Sequence, residues 1–105
     1  MSSVKCVQLD LNNPTFQESW FELVPDEAER VRTALKKITK LTWQQVYTDK
    51  GLHWEKIYSI TPPRGVAAIY SFRLSKSSRG LGFRDGMLLR VLLVCADHDG
   101  TYGRK

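Results

Sequence analysis

The run Met87–Ala96 constrains this chain more than any other segment. Its ten residues hold one charge, Arg90, among Met, Leu, Val, Cys and Ala. An extended run so apolar is covered on both faces, which places it inside a sheet and not at an edge. Asp85-Gly86 immediately before it is a strong two-residue hairpin signal. Arg79–Arg84 then reads as its antiparallel partner. Val66–Ser75 is a further strand, joined through the polar turn Lys76-Ser77-Ser78. Strand alternation puts Tyr70, Phe72 and Leu74 on one face of it and Ile69, Ser71 and Arg73 on the other. Leu52–Ile60 alternates as well and ends at Thr61-Pro62-Pro63-Arg64-Gly65, since prolines cannot donate to a central ladder.

The first half has a different grammar. Val4–Leu11 alternates weakly, as a first strand. Asn12-Asn13-Pro14 then starts a helix, with Asn as cap and Pro in the first turn, running to about Val24 with Phe16, Trp20 and Leu23 on one face. Pro25-Asp26-Glu27 opens a second helix whose Ala28, Val31, Leu35 and Ile38 form one apolar stripe. Its acidic residues crowd the first turn and Lys36, Lys37 and Lys40 the last, an order that suits the helix dipole. Those lysines therefore have a structural explanation. Thr42-Trp43-Gln44-Gln45 has capping-box spacing and predicts a short third helix, with Gly51 as a stop. The expected fold is one α+β domain over residues 1–105: an N-terminal strand and two to three helices packed on an antiparallel C-terminal sheet.

Charge divides the chain in the same way. Residues 1–52 hold seven Lys/Arg and seven Asp/Glu, whereas residues 53–105 hold nine and four, so the whole excess of +5 lies in the second half. The segregation points either to a polyanionic partner or to a solvated basic surface. Cys6 and Cys95 both fall in apolar stretches and are expected as reduced core thiols. No CxxC or HxxxH spacing suggests a metal, and P-loop, dinucleotide-binding, HExxH and nucleophile-elbow patterns are missing. No apolar stretch is long enough to span a membrane, and the first residues lack a signal-peptide core, so a cytoplasmic protein is expected.

A few residues in the basic half have the chemistry for a site. Arg73 faces away from Tyr70, Phe72 and Leu74, and Arg79 opens the next strand close to the turn. Gly80 and Gly82 leave one face of that strand bare, either to admit a ligand or to relieve a bulge. His98 follows the apolar strand within Asp97-His98-Asp99-Gly100, either held for proton transfer or simply part of a surface turn. Glu55 and Lys56 stand on a strand of the same sheet, and Tyr102 offers a phenol or a stacking ring.

The run Ile69-Tyr70-Ser71-Phe72-Arg73-Leu74-Ser75-Lys76-Ser77-Ser78-Arg79 resembles the strand-turn-strand of RelE/ParE-superfamily toxins. Gly51–Ile57, the hairpin at Asp85-Gly86, the apolar strand, His98 and Tyr102 follow in similar order, so the likeness covers roughly residues 50–102. The resemblance implies the toxin of a type II toxin–antitoxin pair, with a cognate antitoxin as partner. RelE-like members cleave mRNA on the ribosome without metal or cofactor, using the RNA 2′-hydroxyl as nucleophile. Such cleavage needs a base, an acid and cations around the charged phosphorane. Carried over by position, Arg79 is the phosphate-binding arginine, Glu55 and His98 are the base and acid in either order, and Tyr102 stacks or assists. Arg73, Lys76, Lys56 and Arg84 are the RNA-binding cations. ParE-like relatives inhibit gyrase instead, and an inactive binding protein of the same fold is the other alternative. Here the arginine is preceded by Ser78 and followed by Gly80-Leu81-Gly82, which departs from the family's bulkier pattern.

Overall fold

The caps written into the first half set where its helices begin. The computed structural model describes residues 5–96, in the order β1 (Gln8–Asp10), α1 (Pro14–Phe21), α2 (Pro25–Ile38), α3 (Trp43–Thr48), β2 (Glu55–Ile57), β3 (Ile69–Arg73), β4 (Ser78–Asp85) and β5 (Leu88–Ala96). The Asn13 side chain accepts from the Thr15 and Phe16 amides at the start of α1. Thr42 and Gln45 complete the reciprocal capping box of α3. α1 is shorter than its pattern suggests. It stops at Phe21, and Leu23 turns back through its amide to the Trp20 carbonyl while the Trp20 indole donates to the Ala28 carbonyl in α2.

The strands form one five-stranded sheet in the order β1-β5-β4-β3-β2. The four C-terminal strands pair antiparallel, as expected, but β1 runs parallel to β5, so the sheet as a whole is mixed. The cause is where β1 enters. The Val7 amide donates to the Leu41 carbonyl ahead of α3, and the Gln8 amide donates to the Met87 carbonyl in the β4–β5 turn. The second bond starts β1 beside the start of β5, and α1–α3 with β2–β4 form the long connection that parallel pairing requires.

One face of the sheet carries the main core. Phe16, Val31, Leu35, Ile38, Trp43 and Val46 from the helices pack with Phe72, Leu89, Val91 and Val94 from the strands and with Leu74 just past β3. Each such buried side chain contributes about 1.5–3 kcal/mol of transfer free energy. The apolar run lies inside the sheet, between β1 and β4, with alternate residues buried and half-buried. β4 is the more enclosed strand, because Ser78–Gly82 are buried on both faces.

Three local expectations change. The bare side of β4 is filled from within the protein: a Cβ on Gly80 would lie 2.5 Å from the Phe72 ring. Gly82 stands at a bulge, where Leu81 pairs with Leu93 but Gly82 with Val91. A Cβ there would meet the Arg90 carbonyl at 2.4 Å, so both glycines serve close packing and leave no room for a ligand. The β4–β5 turn is shifted by one residue: Asp85 pairs with Leu88, and Gly86 occupies the first turn position with φ 64°. A positive φ at that position alone is the signature of a type II′ hairpin turn. Cys6 precedes β1 and is exposed, so it is a free thiol outside the core, while Cys95 on β5 is half-buried.

Candidate nucleic-acid interface

The face turned away from the helices is organised by strand register. Arg73 on β3 stands directly opposite Arg79 on β4, with Cys95 next in the row. One row over, Glu55 on β2 pairs with Ser71, which pairs with Leu81. Directly opposed residues share a face, so Glu55, Arg73 and Arg79 come together on one side of the sheet.

Their surroundings differ. Arg79 is only 7% exposed, and its Nη2 donates to Ser71 Oγ at 2.6 Å and to the His53 carbonyl at 3.5 Å. Arg73 is exposed, and its amide donates to the Leu52 carbonyl at 2.6 Å. Neither residue is without further partners. Both guanidinium groups are permanently charged at any working pH.

The segment before β2 adds a residue that the sequence reading passed over. His53 Nε2 lies 2.9 Å from Glu55 Oε1, with both side chains exposed. In the neutral ring this bond keeps the proton on Nε2 and leaves Nδ1 as an acceptor. His53 is the one described non-glycine residue with positive φ, at 50°. The chain reverses just before it: the His53 amide donates to the Asp49 carbonyl and closes a turn over Lys50, Gly51 and Leu52 after α3, where Gly51 is the expected stop of the helix. Such backbone strain costs on the order of 1–3 kcal/mol and clusters at functional sites. No local pattern marks the pair, because His53 lies outside β2 with left-handed backbone, where strand alternation does not apply. Ser71 gave no signal of its own, because its role depends on Arg79 lying across the ladder.

The remaining expected cations lie elsewhere. Lys56 is in register with Tyr70 on the helix side, and its Nζ sits 5.0 Å from the Tyr58 ring. Lys76 is exposed in the β3–β4 turn, beside Glu29 and Arg30 of α2. Arg84 is at the far end of β4, where Nη1 donates to the Tyr47 hydroxyl and Nε to the Gly86 carbonyl, both at 2.8 Å. His98 and Tyr102 lie outside the described residues.

No protein family, curated protein or solved structure matches this chain. Among the described residues, no group of three His, Cys, Asp or Glu side chains is placed to hold a metal ion. Nor is any described helix long and apolar enough to cross a membrane.

Proposed function

We propose that this chain is a RelE-like toxin of a type II toxin–antitoxin pair, acting in the cytoplasm as an endoribonuclease on ribosome-bound mRNA. The observation that supports the reading best is the in-register row Arg73–Arg79 beside the His53–Glu55 pair on one face of the sheet. Phosphodiester cleavage of this kind forms a bond from the 2′-oxygen to phosphorus and breaks the bond to the 5′-oxygen. One group takes the 2′-hydroxyl proton and another returns a proton to the leaving oxygen. Glu55 or its partner His53 serves as the base, and Arg73 meets the charged phosphorane while Arg79 adds positive potential from beneath the face. His98 is the acid and Tyr102 the assisting phenol, roles that rest on sequence resemblance. The cognate antitoxin covers the same basic face.

One observation favours a second reading. Arg79 is so buried that its guanidinium offers little surface to a phosphate. A gyrase-inhibiting or inactive binding protein of the same fold needs no such contact. Primer extension on cellular mRNA after induction separates the two. Codon-spaced breaks, lost with Glu55→Gln or Arg73→Ala, are expected for the nuclease. Intact mRNA accompanied by a DNA-damage response would reject cleavage in favour of the gyrase reading.

A further inference from the structure

A cavity at one end of the sheet lies away from the Arg73–Arg79 row. β3–β4 pairing ends at Tyr70–Gly82, whereas β4–β5 pairing continues to Asp85–Leu88. β4 therefore projects beyond β3. The incoming chain diverges from it after a turn in which the Val66 amide donates to the Pro63 carbonyl and Gly65 takes φ 84°. The divergence leaves a cavity of about 590 Å³ between this segment and the end of β4.

Its walls combine aromatic rings with guanidinium. Tyr47, Trp54, Tyr70 and Phe83 line it together with Arg84. Trp54 and Tyr70 are stacked at 4.8 Å and 14°, and Tyr47 meets Trp54 at 6.0 Å and 55°. Arg84 is held by Tyr47 and Gly86, and its guanidinium lies 4.8 Å from the Trp43 ring centre. Those two hydrogen bonds engage Nε and Nη1, leaving the Nη2 donors of the fork for a ligand. The end of β4 has no ladder partner on its β3 side among the described strands, so its backbone groups are also available.

We propose that this cavity is a nucleobase subsite, taking one unstacked base of a single-stranded RNA. A flat heterocycle with polar edges matches rings that stack, a guanidinium that bonds and a strand edge that both donates and accepts. Trp54 and Glu55 are consecutive, on opposite sides of the β2 edge. An RNA strand crossing that edge sets a base in the cavity while its backbone passes the charged face. This deepens the proposed nuclease reading and rests on it for the identity of the RNA.

The test uses the full chain and reads the Trp54 indole N–H by NMR, with the Trp20 indole, which donates to the Ala28 carbonyl away from the cavity, as a folding control. A hexaribonucleotide and a mononucleotide are each expected to shift the Trp54 signal saturably, while ribose 5-phosphate, which lacks a base, leaves it in place. Val66→Trp, which fills the cavity from its loop, is expected to weaken hexaribonucleotide binding about tenfold, the scale of one lost base stack. Arg84→Gln is expected to weaken it in the same direction. Equal shifts with ribose 5-phosphate, or undiminished binding by folded Val66→Trp, would overturn the subsite. If Val66→Trp cleaves mRNA and binds RNA like the parent, the subsite falls and the nuclease stands. If the base-dependent shift is present but mRNA stays intact, the nuclease reading falls and the base subsite stands.

Discussion

Arg73 and Arg79 face each other across β3 and β4, yet substitution of each tests a different property. Arg79 is buried and satisfies the Ser71 hydroxyl, itself buried. Arg79→Ala is expected to lower stability by about 2 kcal/mol, because a buried polar group loses its charged donor. Arg73 is exposed at the end of β3. Arg73→Ala is expected to change stability by less than about 1 kcal/mol, within the range of surface ion contacts. Urea denaturation of both variants checks the contrast. Under the proposed toxin reading, loss of activity in Arg73→Ala would report on the face, whereas the same loss in Arg79→Ala would mix binding with folding. A comparable midpoint shift in the two would show that the burial difference is energetically empty.

At the scale of elements, the β3–β4 turn is clamped to α2 by one carboxylate. Glu27, in the first turn of α2, accepts from the hydroxyls of Ser75, Ser77 and Ser78. Burial pushes its carboxyl up, but the three hydroxyls and the charge of Arg30 outweigh this and hold it below its ordinary value of 4.5. A carboxyl depressed in the folded state adds stability that is fully present above the unfolded value and lost as pH falls through the folded one. Glu27→Gln is therefore expected to cost about 1–3 kcal/mol at pH 7. The gap to the parent should narrow as pH drops below about 4.5. Thermal melts from pH 7 to pH 3 measure it, and a gap independent of pH would remove charge from the explanation. The serines of this turn looked like a polar loop in the sequence. Their shared partner lies about fifty residues earlier, at separations of 48 to 51, so no local pattern marked it. Asp49 shows the same economy nearer by: burial raises its carboxyl, but the Leu52 amide and Lys37 lower it overall, and it fastens the end of α3 to α2.

Over the whole molecule, the +5 excess predicts binding that weakens with salt. Affinity for single-stranded RNA is expected to fall log-linearly with salt at a slope of about −0.7 for each phosphate neutralised. Arg73→Ala should reduce that slope by about one contact, whereas filling the aromatic cavity should lower affinity and leave the slope unchanged, since stacking releases no counterions. Fluorescence anisotropy at several salt concentrations separates them. An unchanged slope in Arg73→Ala would remove that side chain from the phosphate contacts.

The sequence by itself determined the elements whose causes are local. Asn13 and Thr42 cap helices through neighbours two and three residues away. The stripe Val31, Leu35 and Ile38 needs only the helical period, and the alternation of Ile69–Arg73 assigns Arg73 its face. The apolar run announced an interior strand. Tertiary structure alone decided whatever depends on what lies across the sheet. It set β1 parallel to β5, because the bond from the Gln8 amide to the Met87 carbonyl anchors its start next to that strand. It filled the bare side of β4 with Phe72, and it set Lys56 on the opposite face from Arg79, because register between strands decides which face each side chain shares. It also paired His53 with Glu55 through a left-handed backbone turn that no residue nearby required. Periodicity is a property of one segment, whereas register is a property of two, and the candidate site is built from register.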